Sequence, residues 1–159
     1  MREGPRVQRF TRSVIPNEER VQYEALFDAA TGLPQWALLL DRTEVALARA
    51  QRVNCKVAVC VLDDVQTASG EPPNVEHFVA TLRSKLRSDD TIGRVADQTF
   101  VVVCNDIERD KDAGMVAERL LENTDIVCRI GVVQSRGGED ASTLLTTAIQ
   151  QAMRTTPAS

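Results

Sequence analysis

The sequence predicts an α/β sandwich, with a mixed central β-sheet covered by helices. Three observations predict it. Helix-period and strand-like runs alternate in the order α-α-β-α-β-β-α-β-α; one pair of strands is joined by a short polar turn; and the first strand is a continuous apolar run, as expected where both sheet faces are buried. The chain has 159 residues, 43% apolar and 26% charged. That is one domain, long enough to bury about 70% of its unfolded surface.

Asn17 caps a predicted helix over 17–30 that places Tyr23, Leu26, Phe27 and Ala30 on one face. Thr31-Gly32-Leu33-Pro34 stops it, with Gly permitting positive φ and Pro opening a second helix over about 34–51. Trp36, Leu39, Leu40, Leu47 and Ala50 make that helix apolar enough to be core. Val57–Leu62 is the buried strand; it ends at Asp63-Asp64, and a polar loop runs on through Gly70 and Pro72-Pro73. Asn74 caps a helix with the stripe Val75, Phe78, Val79, Leu82 and Leu86, whose last turn carries Lys85 and Arg87 against the helix dipole. Ile92–Val95 and Phe100–Cys104 form a hairpin around Ala96-Asp97-Gln98-Thr99. A helix over about 110–122, a strand over Ile126–Val133 and a Gly137-Gly138 loop follow. Asp140 caps the last helix, with the stripe Leu145, Ala148, Ile149 and Ala152.

Composition excludes several classes. No apolar run approaches the roughly 18 residues of a membrane helix, and the N-terminus lacks a signal-peptide core, so no membrane partner and a cytoplasmic location are expected. The net charge of −4 argues against nucleic acid as a partner. Residues 1–16 hold Arg2, Arg6, Arg9 and Arg12 against Glu3 and read as a basic flexible leader; 17–156 reads as one domain and 157–159 as a tail. Cys55, Cys60, Cys104 and Cys128 contain no C-x-x-C pair, and His77 is the chain's one histidine. The cysteines read as reduced residues, three of them inside apolar strand runs, and His77 as a surface residue rather than a ligand.

The element order and its punctuation resemble the GGDEF domain, the family of diguanylate cyclases that joins two GTP molecules into cyclic di-GMP. The likeness covers about residues 22–156. Asp28-Ala-Ala-Thr31-Gly32-Leu33-Pro34 is similar to the family's D-x-L-T-G-L-x turn. Arg94-Val95-Ala96-Asp97-Gln98-Thr99-Phe100 followed by Val-Val-Val is similar to the signature hairpin, and Ile130-Gly131-Val132 to the S-I-G-V strand. The resemblance implies a nucleotidyl-cyclase-like three-layer sandwich.

The resemblance also shows what is missing. The five signature positions are Ala96, Asp97, Gln98, Thr99 and Phe100. The second glycine, which lets the backbone approach phosphates, has become an aspartate. The metal-binding Glu has become Thr99. The metal-binding carboxylate of D-x-D-x-F-K falls on Val61, with Asp63 at the second Asp and Asp64 beside it. The guanine-binding segment has no counterpart, the phosphate-binding Lys falls on Thr156, and an aligned Asp falls on Ile149. Phosphoryl transfer depends on positioning and on charge neutralisation by metals, so the resemblance implies no catalytic residue, no metal and no cofactor. Asp63, Asp64 and Asp97 remain a candidate acidic cluster at the sheet edge.

Active family members often carry a product-binding inhibitory site, R-x-x-D, five residues before the signature. Arg87-Ser-Asp-Asp90 followed by Thr91–Val95 matches that spacing. Arginine can read a guanine edge or grip a phosphate, and Asp90 can accept from guanine N–H groups; Arg83, one turn earlier, is a further candidate. An arginine at a helix end and an aspartate in the turn after it also have structural reasons to be there. Two readings stand: an inactive cyclic di-GMP receptor, or a dimerisation or docking module that binds no nucleotide. Residual cyclase activity is a third and weaker one.

Overall fold

The computed structural model describes residues 25–108 and 110–157. Their elements run α1 (Trp36–Val53), β1 (Lys56–Thr67), α2 (Val75–Ser84), β2 (Thr91–Ala96), β3 (Thr99–Ile107), α3 (Asp110–Leu121), β4 (Ile126–Gln134) and α4 (Ala141–Met153). The leader, Asn17, Tyr23 and the last two residues lie outside the described residues.

The sheet has the order β2-β3-β1-β4. Each neighbouring pair is antiparallel, which corrects the expected mixed sheet. The reason is the path of the two helical crossovers. β1-α2-β2 and β3-α3-β4 each leave a gap that another strand fills, so strands pointing the same way are never neighbours. This is the split β-α-β arrangement of a β-α-β-β-α-β unit.

β1 fills the centre because its side chains alternate between two apolar layers. Ala58, Cys60 and Leu62 face α2 and α3, meeting Phe78, Leu82, Val116 and Leu120. Val57, Val59 and Val61 face α1 and α4, meeting Leu39, Ala50, Leu145 and Ala148. Three layers therefore sandwich two cores, as expected. Gly131 of β4 lets α4 close on the sheet, since a Cβ there would sit 2.3 Å from the Ala148 carbonyl oxygen. Cys60, Cys104 and Cys128 are all buried in the first layer, and the cysteines are free thiols.

Several boundaries differ from the sequence reading, each for a local reason. Helical geometry does not run to Ala30: Phe27 pairs with Pro34 in an isolated β-bridge. Pro34 is thereby held extended, so α1 starts at Trp36 instead of 34, and Trp36 is 37% exposed rather than core. β1 does not stop at Asp63-Asp64; a bulge with Asp64 at φ 54° carries it on to Thr67 and buries Val65. The Asn74 side chain accepts from His77 N–H and caps α2 as expected, and exposed His77 sits in the first turn. Lys85 caps the end of α2 and Arg87 lies past it, so neither belongs to its last turn. Asp140 caps α4 through Thr143 N–H, as predicted.

Candidate functional site

The signature hairpin folds as a tight turn between β2 and β3, with Ala96 paired to Thr99 and both Ala96 and Asp97 exposed. Arg94 fastens it. Its Nε and Nη2 donate to the Asp97 carbonyl at 3.1 and 2.6 Å. Its Nη1 pairs with Asp28 Oδ2 at 3.0 Å, and its guanidinium lies 5.5 Å from the Phe100 ring centre. Thr31 completes the clamp by donating its N–H and hydroxyl to the same Asp28 oxygen. Gly32 turns this segment at φ 72°. Burial pushes the Asp28 carboxyl up, but the bonds from Thr31 and Arg94 outweigh it and hold the group below its ordinary value.

Beneath the turn, Thr99 stands beside Asp63 on the neighbouring strand. The Thr99 hydroxyl donates to Asp63 Oδ1 at 2.7 Å, and Arg129 from β4 reaches Asp63 Oδ2 at 3.1 Å. Both carboxylate oxygens are thus engaged. Val61 is fully buried in the α1/α4 layer, Asp64 accepts from the Gln66 amide, and Val65 N–H donates to the Gln98 carbonyl. The structure does not bring Asp63, Asp64 and Asp97 together: among the described residues no group of three or more His, Cys, Asp or Glu side chains is placed to hold a metal ion. Thr156 is exposed and Ile149 half-buried.

The Arg87–Asp90 segment is a compact turn between α2 and β2. Asp90 Oδ2 accepts from Arg87 N–H at 3.0 Å, and Oδ1 accepts from Asn105 N–H at 3.1 Å. The Arg87 side chain is exposed and donates one bond, to the Asn105 carbonyl at 2.7 Å. Asn105 returns a bond to the Asp89 carbonyl, and Arg49 of α1 pairs with Asp106 at 2.9 Å. Arg83 is exposed at the end of α2.

Arg94 and Arg129 are site residues to which sequence reasoning gave no role of their own. Each had a signal. Arg94 is a lone charge in β2, and Arg129 a lone charge inside the otherwise apolar run Ile126–Val133; a charge inside a buried strand needs a partner.

The architecture defines the class: a three-layer α/β domain on a split β-α-β-β-α-β sheet, with a tight hairpin joining β2 and β3. The particular fold is shared with known proteins. A diguanylate cyclase, DgcS of Shewanella oneidensis, is 29% identical over 135 residues, covering 78% of this chain and 45% of that protein. A sensory box/GGDEF family protein from Caulobacter crescentus superposes with a TM-score of 0.71 at 20% identity, over 82% of this chain and 97% of that one. The GGDEF domain of DgcB from the same organism, solved in complex with c-di-GMP, gives 0.65 at 14% identity, over 92% of each chain. No family model matches the chain. The chain has the fold of GGDEF domains, and it spans less than half the length of the curated diguanylate cyclase it matches. Among the described residues no helix is long and apolar enough to cross a membrane.

Proposed function

We propose that this chain is a catalytically inactive GGDEF-like signalling domain of the cytoplasm that binds cyclic di-GMP through Arg87 and Asp90. The observation that carries the inactive half is the Thr99–Asp63–Arg129 cluster. At the two positions where the resemblance puts metal-holding carboxylates the chain has the Thr99 hydroxyl and the fully buried Val61, and the carboxylate beside Thr99, that of Asp63, is already bonded on both oxygens, one of them to a permanent cation. That donor set does not fit a divalent cation, because the guanidinium repels one and already satisfies Asp63. Asp97 adds a negative charge at the turn, where triphosphates would have to approach.

The receptor half rests on Arg87. Its guanidinium is exposed and spends one of five donors on Asn105, which leaves capacity to grip a guanine edge or a phosphate. Two backbone amides hold Asp90 rigidly alongside, so its carboxylate is preorganised. The same two bonds favour a second reading, in which Asp90 only closes the turn and the domain serves as a protein-interaction module.

Isothermal titration calorimetry of cyclic di-GMP into the whole chain separates them, with Arg87→Ala as the control and GTP with Mg²⁺ in parallel. The receptor reading expects micromolar binding that the variant loses. No heat at about 100 μM ligand sinks it in favour of the interaction module. Turnover of GTP would overturn the inactive assignment.

A further inference from the structure

β3 is irregular where it nears its end. Lys56 of β1 pairs with Ile107 and Ala58 with Cys104, so two steps along β1 are matched by three along β3. The extra residue makes a β-bulge, and Asp106 within it adopts φ 58°, a conformation that a residue with a Cβ enters at a cost. Arg49 of α1 braces the bulge by donating to both Asp106 carboxylate oxygens, at 2.9 and 3.1 Å.

Asn105 falls between the two flanking pairs, and its bonds run to the Arg87–Asp90 turn. β2 and β3 pair as far as Thr91–Val103. Past that point the Asn105 N–H meets Asp90 Oδ1 at 3.1 Å instead of a strand backbone. The Asn105 carbonyl accepts from Arg87 Nη2 at 2.7 Å, and Nδ2 donates to the Asp89 carbonyl at 2.6 Å. One residue thus holds the cation, the carboxylate and the peptide between Asp89 and Asp90.

The side chain does this against the local packing. Asn105 Oδ1 is buried and has no hydrogen-bond partner among the described residues. A buried acceptor left unpaired destabilises a fold, whereas an apolar group of the same shape in its place is close to neutral. Leucine has nearly the shape of asparagine and no acceptor to bury. What leucine lacks is the Nδ2 bond, which fixes the Asp89–Asp90 peptide and with it the direction of the Asp90 carboxylate.

We propose, building on the receptor reading of Arg87 and Asp90, that Asn105 is the positioning residue of that ligand site. It sets the distance and angle between the Arg87 guanidinium and the Asp90 carboxylate, so that both meet one guanine-containing ligand without reordering. Removing the side-chain bond leaves the two backbone contacts in place but frees the peptide that aims Asp90. Affinity then falls about tenfold, the worth of one hydrogen bond.

Calorimetric titration with cyclic di-GMP and urea unfolding, each on the wild-type chain, Asn105→Leu and Asn105→Ala, test this together. Both variants should bind about tenfold more weakly. Asn105→Leu should leave the unfolding midpoint unchanged or raise it, because it also removes the unpaired acceptor. A role confined to the fold gives the opposite pattern: a lowered midpoint with affinity kept. Asn105→Ala lacks the bulk of leucine, and it decides alone if Asn105→Leu fails to fold. The proposal is overturned if the wild-type chain binds and the variants match it within about twofold, or if affinity is lost only together with stability. A wild-type chain that binds nothing overturns the receptor reading itself, so the two failures are told apart.

Discussion

At the hairpin tip Arg94 is sequestered: 11% of its side chain is exposed, and it bonds to Asp28, to the Asp97 carbonyl and across the Phe100 ring. At the Arg87–Asp90 turn the arrangement is reversed. There the aspartate is held by two backbone amides, while the arginine is exposed and holds one carbonyl. Both regions pair an arginine with an aspartate next to the same strand, yet one uses the cation as a fastener and the other presents it. Residue type therefore does not separate structural from ligand-binding roles. The number of bonds already made by each arginine separates the fastener from the exposed cation.

The largest expected effect tests the fastener. Arg94→Ala removes an ion pair and two hydrogen bonds in one step and leaves Asp28 partly buried without its cation. A loss of about 2–4 kcal/mol in urea unfolding is expected; a loss under about 0.5 kcal/mol would break the comparison. Next in size is Asp90→Ala, which orphans the Arg87 and Asn105 amides and should cost about 1–2 kcal/mol. If it proves neutral while abolishing ligand binding, Asp90 belongs to the ligand and not to the turn.

A smaller effect should appear in acid. The Asp28 carboxyl is depressed in the folded state below its ordinary 3.8, so the stability it contributes is complete above that value and drains away as pH falls through the lowered one. Asp28→Asn should flatten that acid limb of the unfolding midpoint against pH; an unchanged limb would assign it to other carboxylates. The smallest effect is expected for Arg87→Ala. An exposed side chain with one bond should give under about 0.5 kcal/mol on unfolding, which makes it the cleanest variant for titration with ligand. A large stability loss would move Arg87 into the class of Arg94.

Much of the fold was legible because its signals are local. Val57–Leu62 read as a doubly buried strand, and its alternating residues do serve two layers. Asn74 and Asp140 read as helix caps, and both accept the expected N–H. What failed depended on contacts distant in sequence. Antiparallel neighbours cannot be read from alternation, because alternation does not say which strand enters the gap of a crossover. The extension of β1 past Asp63 needed both the Asp64 bulge and the Gln98 carbonyl from the hairpin. The candidate site was half legible. Thr99 was flagged as a departure and Asp63 as the second Asp of its motif, but Arg129 lies 66 residues beyond Asp63 in the chain, and only the sheet register brings them together.

The three buried cysteines have a consequence of their own. Burial raises all three thiols, Cys104 and Cys128 to about 12, so none forms a thiolate at neutral pH while its layer is closed. All three lie on the α2/α3 side of the sheet and none on the α1/α4 side. With the half-buried Cys55 between α1 and β1 replaced by serine, an alkylating reagent would therefore report how often one half of the sandwich breathes while leaving the other half silent. The molecule carries its own one-sided clock for partial opening.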